Sequence, residues 1–230
     1  MRNFIWEKLS LIGLDLFATP IYGRGDEKQM EKMSPNTSSS VTSTIAHFPV
    51  IWLTGLPGSG KTTIAKALQP RLKELGFKVE LLDGDIVRKE LSPELGFTKQ
   101  DREIHARRVV YLSKILSRNG IISIVCLISP YREFRRYARS ETNINNNFYE
   151  VYVKCSLETC IERDPKGLYK KALSGEIKDL TGLQDPYEEP ENPELIVNTE
   201  RQTLEECANV ILNRVLQTYN SNSVRTPTIT

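Results

Sequence analysis

The pattern of apolar and polar positions predicts five short strands along the chain. Residues 50–53 form an apolar run, and residues 78–82 form a second short strand. Residues 121–128 are apolar almost throughout and rich in β-branched side chains, which is typical of a parallel strand covered on both faces. We expect this strand at the centre of the sheet. Residues 148–153 and 195–197 are predicted as two further strands.

Helical spacing of apolar residues predicts helices between these strands. The first follows residue 60, ends near Gly76 and buries Ile64, Ala65, Leu68 and Leu72. A long helix is predicted from about Thr98 to Arg118, where Asp101 lies in the capping-box position. Its predicted buried stripe consists of Val109, Leu112 and Leu116. A capping box at residues 203–206 opens a last helix that is predicted to end near Leu216.

Strands that alternate with helices predict an α/β fold of three layers around a central parallel sheet. Ligands of such sheets bind at the carboxyl ends of the strands. The folded domain is predicted to span residues 47–219. Residues 1–46 are predicted to be an N-terminal extension with a flexible linker, because residues 24–46 are small, polar and without apolar periodicity. Residues 220–230 are predicted to be a disordered tail.

Composition and charge exclude several kinds of protein. The chain has 230 residues, of which 39% are hydrophobic and 26% are charged, as expected for one globular domain with tails. A formal charge of +2 gives no indication of nucleic acid or an anionic membrane as the main partner, and no stretch approaches transmembrane length. The four cysteines have neither metal-ligand spacing nor a disulfide-rich pattern, so we expect a cytoplasmic protein.

A phosphate-binding loop follows the first predicted strand directly. Its residues are Gly55, Leu56, Pro57, Gly58, Ser59, Gly60, Lys61 and Thr62, followed by Thr63. The glycines allow the backbone N–H groups to approach phosphates, Lys61 supplies a positive charge near the β- and γ-phosphates, and the Thr62 hydroxyl can bind Mg²⁺. This loop therefore predicts a binding site for a nucleoside triphosphate and, with the alternating strands and helices, an α/β fold like that of P-loop nucleoside triphosphatases.

Two carboxylates follow the second strand, at the edge of the sheet where the loop also lies. Asp83 and Asp85 stand there with Arg88 nearby. One carboxylate can bind Mg²⁺, and the other can orient an acceptor hydroxyl and take its proton during phosphoryl transfer. The alternative is that both residues only cap the short helix that follows.

The long apolar strand ends without an acidic residue, in contrast to motor ATPases and GTPases. It continues as Leu127-Ile128-Ser129-Pro130, which favours a small-molecule kinase. Residues 163–171 carry several cations around a proline and a glycine. Such a loop can close over the nucleotide and neutralise the charge of the migrating phosphoryl group, or it can be an ordinary solvated loop.

About 170 residues resemble the adenylylsulfate kinase family, whose members phosphorylate the ribose 3′-hydroxyl of adenosine 5′-phosphosulfate. The resemblance rests on many motifs in the family's order. They are Thr54-Gly55 with the phosphate loop, Leu82-Asp83-Gly84-Asp85 with Val87-Arg88, Leu95-Gly96-Phe97, Asp101-Arg102 with Arg107-Arg108, Ile128-Ser129-Pro130-Tyr131-Arg132, Arg163-Asp164-Pro165-Lys166-Gly167-Leu168-Tyr169, Gly175-Glu176-Ile177, Thr181-Gly182 and Asp185-Pro186-Tyr187-Glu188.

The resemblance implies a role for each matching residue. Asp85 acts near the acceptor hydroxyl and, with Thr62, near the metal, so that Asp85, Lys61 and Ser129 form the implied catalytic set. ATP and Mg²⁺ are the implied cofactors, with Arg163 and Lys166 in a mobile lid over the nucleotide. The implied substrate residues are Asp83, Arg88, Phe97, Arg102, His105 and Leu180, and Phe97 stacks on the adenine. In the family, the serine at Ser129 is described as a phosphorylated intermediate, although a hydroxyl that positions the substrate would suffice here.

Three acceptor-side residues depart from the family pattern. Ile86 and His105 replace asparagine, and Leu180 replaces the second phenylalanine of the adenine sandwich. We therefore expect a kinase that makes 3′-phosphoadenosine 5′-phosphosulfate, with two alternatives. One is a P-loop kinase for another small hydroxyl compound, and the other is a nucleotide-binding module without turnover. The resemblance also implies a homodimer.

Overall fold

The computed structural model describes residues 47–144 and 146–223. Within this part, five parallel strands form one sheet in the order β2-β3-β1-β4-β5. The strands are β1 Val50–Thr54, β2 Lys78–Asp83, β3 Ile121–Cys126, β4 Phe148–Lys154 and β5 Leu195–Asn198. The predicted α/β fold with a parallel sheet is confirmed. The predicted extension at residues 1–46 and most of the predicted tail lie outside the described residues.

Seven helices accompany these strands in the described part of the chain. They are α1 Lys61–Glu74, α2 Gly84–Leu91, α3 Lys99–Arg118, α4 Arg132–Thr142, α5 Leu157–Arg163, α6 Leu168–Leu173 and α7 Leu204–Ser223. None of them is both long and apolar enough to cross a membrane. The capping predictions hold for two of the helices. The Thr98 hydroxyl accepts from the Asp101 N–H, and Thr203 and Glu206 bond reciprocally.

The alternation of side chains along β1 explains the three layers. Ile51 and Leu53 point to one face of the sheet, where they pack with α1 and α7. Val50 and Trp52 point to the other face, where they pack with side chains of α3 and α4. Both faces are therefore covered, which leaves the carboxyl ends of the strands as the open edge for a ligand.

The structure corrects two details of the predicted strands and helices. The middle position of the sheet belongs to β1, and β3 lies between β2 and β1. β3 also ends at Cys126, two residues before the predicted end, because the chain then turns at Ser129, whose φ is 44°, toward Pro130, which has no N–H to donate. The last helix continues beyond Leu216 to Ser223, which brings part of the predicted tail into α7.

Candidate active site

The phosphate loop connects β1 to α1 at the open edge of the sheet. Gly55 has a φ of 151°, and a Cβ at this position would lie 2.5 Å from the Val153 carbonyl oxygen of the neighbouring strand. Only glycine fits there. Gly60 precedes the first residue of α1, so the backbone N–H groups at the start of this helix face the loop.

Lys61 is buried within the phosphate loop. Its ammonium group donates to the carbonyl oxygens of Gly55 and Leu56 at 2.9 and 2.8 Å. Burial lowers the pKa of Lys61 to about 8. Because a buried cation lacks solvent, it gains strongly from an anion placed beside it, as a triphosphate would be.

Asp83 connects the end of β2 with the start of α1. One carboxylate oxygen accepts from the Thr62 hydroxyl at 2.8 Å, and the other accepts from the Asp85 N–H at 3.0 Å as the N-cap of α2. Gly84 allows this close approach, since a Cβ there would lie 2.8 Å from the Cys126 carbonyl oxygen. The capping alternative therefore describes Asp83 in part, but it leaves the Thr62 contact unexplained.

Asp85 does not cap a helix with its side chain. It stands at the first turn of α2 with 66% of the side chain exposed, and its carboxylate forms an ion pair with Lys166 of the basic segment at residues 163–171. Two predicted functional residues that are far apart in the sequence thus meet in space.

The basic segment closes against the phosphate loop at two further points. Arg163 donates to the Thr199 hydroxyl and carbonyl oxygens, both at 2.9 Å, and the Thr199 hydroxyl donates to the Ser59 carbonyl oxygen at 3.1 Å. The Tyr169 hydroxyl donates to the Pro57 carbonyl oxygen at 3.0 Å. These contacts hold the cations of the segment over the loop.

An aromatic ring with two guanidinium groups close to it also lines the site. Phe97 is 58% exposed, and the guanidinium carbons of Arg88 and Arg102 lie 4.9 and 5.7 Å from its ring centre. Arg88 donates to the Gly96 carbonyl oxygen and Arg102 to that of Phe97, both at 2.8 Å. An exposed aromatic face beside two cations can bind a planar base that carries an anionic group.

His105 lies on α3 and is only 2% exposed. Its Nδ1 lies 3.0 Å from the Ser92 hydroxyl, and its Nε2 has no hydrogen-bond partner in the described part of the chain. Burial and the charges of Arg88 and Arg108 lower the pKa of His105 to about 4, so the imidazole is neutral at physiological pH.

The Ser129 hydroxyl makes hydrogen-bond contacts with residues in and next to the sheet. Its hydroxyl oxygen accepts from the Trp52 indole N–H at 2.9 Å, and its hydroxyl group lies 3.4 Å from the Leu127 carbonyl oxygen. Among the described residues, these are the hydrogen-bond contacts of this hydroxyl, and neither supplies a base. This arrangement satisfies a buried indole and does not activate a nucleophile.

One cavity of about 640 Å³ joins the phosphate loop, the carboxylates and the aromatic end. This volume is typical of small-molecule sites. The predicted site residues that line it are Pro57, Gly58, Gly60, Lys61, Thr62, Thr63, Asp83, Asp85, Arg88, Phe97, Arg102, His105, Ser129, Arg163 and Lys166. Gly55, Leu56, Ser59 and Leu180 do not line it. Leu180 is buried in a small cluster with Cys155, Cys160, Tyr169 and Ala172.

The comparison with protein families shows to which family the chain belongs. The family profile for adenylylsulphate kinase matches residues 48–198. The chain belongs to the adenylylsulfate kinase family.

Individual adenylylsulfate kinases are similar to this chain over most of their own length. The chain is 55% identical over 164 residues to a probable adenylyl-sulfate kinase of Pyrococcus abyssi, covering 71% of this chain and 92% of that protein. It is 51% identical over 165 residues to an adenylyl-sulfate kinase of Rippkaea orientalis, covering 72% and 90%. A solved structure of the Mycobacterium tuberculosis APS kinase in complex with AMPPNP and APS has a TM-score of 0.70 at 36% identity, covering 74% of this chain and 98% of that one.

The cavity of this family member also contains residues that sequence reasoning did not identify. Thr199, Gln202, Leu204 and Cys207 line it at the end of β5 and the start of α7. The position of Thr199 directly after a strand was the available signal, because every parallel strand ends at the same edge of the sheet. These side chains have no distinctive chemistry, so the signal was weak.

Proposed function

We propose that the chain transfers the γ-phosphoryl group of ATP to the 3′-hydroxyl of adenosine 5′-phosphosulfate. The observation that carries this proposal is a single cavity lined both by the phosphate loop and by Phe97 with Arg88 and Arg102 close to its ring. Two negatively charged nucleotides can meet there. The Mycobacterium tuberculosis relative, which held AMPPNP and APS together, supports the same pairing.

The donor nucleotide binds at the phosphate loop. Its phosphates replace the Gly55 and Leu56 carbonyl oxygens as the partners of the Lys61 ammonium group. Arg163 and Lys166 come from the basic segment above the loop and neutralise the charge that spreads over the transferred group.

Asp85 is the proposed base for the acceptor hydroxyl. Its carboxylate is exposed to the cavity, and the ion pair with Lys166 fixes its position. When the basic segment closes on nucleotide, Lys166 can exchange this carboxylate for a phosphate oxygen and leave Asp85 free to accept the proton.

A magnesium ion fits the oxygen donors beside Lys61. The Thr62 hydroxyl hydrogen is directed to Asp83, which leaves the oxygen lone pairs for a metal, and the exposed Asp85 carboxylate completes a set of hard donors. No group of three or more His, Cys, Asp or Glu side chains within the described residues could hold a metal alone. This suits Mg²⁺, which is usually bound by one or two protein oxygens together with phosphates. When bound, Mg²⁺ neutralises charge on the β- and γ-phosphates.

A second candidate is a kinase of another nucleotide-like hydroxyl compound. Ile86 is 64% exposed beside Asp85, and Leu180 is buried in a core cluster and does not line the cavity. One face of the predicted adenine sandwich is therefore missing from the described cavity. The measurement that separates the candidates is turnover with adenosine 5′-phosphosulfate against a panel of nucleotides and sugars, and transfer only to another compound would reject the first.

Asp85→Asn tests the mechanism. We expect kcat to fall by about 10²- to 10⁴-fold, because the base is lost while the size of the side chain is kept. The affinity for ATP without metal, measured by calorimetry in the presence of chelator, should change little, because the phosphate loop and Lys61 are unaltered. Lys166→Ala is the matched variant, since it breaks the same ion pair and keeps the carboxylate. An Asp85→Asn enzyme with an unaltered kcat would remove Asp85 from the mechanism.

We further propose that the enzyme works in the cytoplasm as a homodimer. All four cysteines are free and buried, as expected for a reducing compartment. A solved APS kinase from Thiobacillus denitrificans is hexameric, with 33% identity and a TM-score of 0.56, covering 75% of this chain and 29% of that one. Light scattering of the full chain tests the dimer.

A further inference from the structure

A threonine side chain joins the basic segment at residues 163–171 to the phosphate loop. Thr199 directly follows β5 and lines the cavity. The Arg163 Nη1 group donates to the Thr199 hydroxyl oxygen at 2.9 Å, and the Thr199 hydroxyl donates to the Ser59 carbonyl oxygen at 3.1 Å. Three segments that are far apart in the sequence are therefore connected through one oxygen atom.

The direction of both hydrogen bonds follows from the groups involved. A guanidinium group only donates, and a carbonyl oxygen only accepts. The Thr199 hydroxyl therefore accepts from Arg163 and gives its own hydrogen to Ser59. Because one hydroxyl group makes both contacts, a substitution that removes this group breaks both of them at once.

Arg163 is fixed along the Nη edge of its guanidinium group. Its Nη2 donates to the Thr199 carbonyl oxygen at 2.9 Å, and its Nη1 also donates to the Cys155 sulfur at 3.4 Å. Since the guanidinium group is planar and rigid, contacts at both Nη groups fix the plane of the whole group. A cation that the protein already holds in this way loses little conformational freedom when a nucleotide binds beside it.

The contact with Ser59 fixes a peptide plane of the phosphate loop. The carbonyl oxygen and the following N–H of a trans peptide point in opposite directions, and the described residues contain no cis peptide. Since the Ser59 oxygen is directed at Thr199, the Gly60 N–H points away from Thr199. Gly60 lines the cavity, where its N–H can donate to a phosphate.

The methyl group of Thr199 has a separate neighbour. A Cβ built at Gly60 would lie 3.5 Å from the Thr199 Cγ2, so the methyl group faces the backbone of the phosphate loop. Valine keeps this methyl group and lacks the hydroxyl, whereas serine keeps the hydroxyl and lacks the methyl group. The two substitutions therefore separate hydrogen bonding from packing at this position.

We propose that Thr199 is a positioning residue for the donor nucleotide, whose hydroxyl group holds the Arg163 guanidinium and the Ser59–Gly60 peptide in the orientation that receives the phosphates of ATP. Both groups are then oriented in the protein itself, and less free energy is lost in ordering them when ATP binds. Thr199 acts through these two groups and is not a catalytic residue. The proposal rests on the proposed function in that ATP is the donor.

The first test is the affinity for Mg·ATP, measured by calorimetry without acceptor. Thr199→Val should raise the Kd about tenfold, because two hydrogen bonds are lost and one of them comes from a charged group. Thr199→Ser should stay within about twofold of the native Kd, since it keeps the hydroxyl. A native Kd in Thr199→Val, or an equal loss of affinity in Thr199→Ser, overturns the proposal.

A general loss of stability is distinguished by a matched control in the same segment. The Thr203 hydroxyl contacts Glu206, and Thr203→Ala removes this helix cap while Arg163 and Ser59 keep their contacts. This variant should unfold at a lower temperature and bind Mg·ATP with the native Kd. In turnover, Thr199→Val should raise the KM for ATP about tenfold and leave the KM for the acceptor unchanged. An equal rise in both KM values would indicate a distorted cavity and overturn the proposal.

Arg163 gives a second route to the same contact, which serves even if Thr199→Val does not fold. Arg163→Lys keeps the charge but lacks the planar fork that bonds the hydroxyl and the carbonyl of Thr199 together. It should raise the Kd for Mg·ATP several-fold, and a native Kd overturns the proposal. In an Arg163→Met background, Thr199→Val should raise the Kd only about threefold, because only the Ser59 contact is then lost. Equal factors in the two backgrounds would show that Thr199 does not act through Arg163.

These measurements separate the role of Thr199 from the proposed function. If the native protein binds Mg·ATP but does not phosphorylate adenosine 5′-phosphosulfate, the proposed acceptor is wrong, and calorimetry of the variants still decides the role of Thr199. If adenosine 5′-phosphosulfate is phosphorylated and Thr199→Val binds Mg·ATP as tightly as the native protein, the proposed function stands and the role of Thr199 is wrong. A native protein that does not bind Mg·ATP rejects both.

Discussion

At the scale of one residue, Lys61 shows that a binding site can contain a charged group whose burial destabilises the folded protein. Its ammonium group is buried, and its hydrogen-bond partners among the described residues are neutral oxygens of the loop, namely the Gly55 and Leu56 carbonyls and the Ser59 hydroxyl. Its pKa is therefore about 8 in the folded protein and 10.5 in the unfolded chain. Between these two pH values the unfolded chain binds more protons, so the free energy of unfolding rises with pH.

The prediction is a difference in pH dependence between the native protein and Lys61→Met. The stability of the native protein minus that of the variant should rise between pH 8 and pH 10.5, by about 3 kcal/mol. Urea unfolding at several pH values measures it, and saturating Mg·ATP should reduce the rise, because phosphates stabilise the charged lysine. A difference that does not vary with pH would contradict the buried charge.

Ser129 gives a second prediction at this scale. Ser129→Ala leaves the Trp52 indole N–H buried without its acceptor. We expect the free energy of unfolding to fall by about 1–3 kcal/mol, while turnover persists, because no base activates this hydroxyl. The control is Ser129→Ala combined with Trp52→Phe, which removes the indole N–H together with its acceptor, because Ser129→Thr would place a β-branched residue at a φ of 44°. Complete loss of turnover with unchanged stability would instead favour the covalent role described in the family.

A comparison of the predicted with the observed helices shows which features of the sequence predict secondary structure. The first, third and last helices were predicted because each combines apolar periodicity with a cap or a following glycine. α4 was not predicted. Its pattern is obscured by Arg135, which is buried against Glu150 at 2.8 Å, so a charged residue occupies a core position. α5 and α6 have only seven and six residues, too few for a clear period.

The site was predictable where chemistry depends on residue type, and less so where it depends on packing. Charged side chains such as Asp85 and Lys166 at the edge of a sheet have few roles other than binding and catalysis, so their residue type alone identifies them. The cavity brings both together with the phosphate loop. Leu180 fits an adenine pocket and a hydrophobic core equally well, and the sequence cannot distinguish the two. Thr199 could be identified only once β5 had been placed beside the loop.

At the scale of one helix, the capping box of α7 gives a testable prediction about stability. The Thr203 hydroxyl accepts from the Glu206 N–H at 3.2 Å, and the Glu206 carboxylate accepts from the Thr203 N–H at 2.8 Å. Thr203→Ala should destabilise the protein by about 1 kcal/mol and leave the KM for ATP unchanged. Thr203→Ser, which keeps the cap, is the control in urea unfolding. A large change in KM would mean that the cap also shapes the cavity.

At the scale of the whole molecule, the cavity is the place where distant parts of the chain meet. The loop after β1, the start of α2, the middle of α3, the basic segment at residues 163–171 and the start of α7 all contribute to its wall. A ligand that contacts several of these segments at once binds the folded state and not the unfolded chain. Its binding free energy therefore becomes stability of the entire domain.

Mg·ATP should accordingly raise the thermal midpoint of the native protein. At about 100 times its Kd, a ligand adds about 2.7 kcal/mol, which corresponds to about 5–10 °C for a chain of this length. Scanning calorimetry with and without chelator separates the contribution of the metal. Lys61→Met should lose most of this shift, because the loop then lacks its cation, whereas Thr203→Ala should keep the full shift from a lower starting midpoint. An identical shift in Lys61→Met would place the nucleotide away from the phosphate loop and reject the donor site proposed for this cavity.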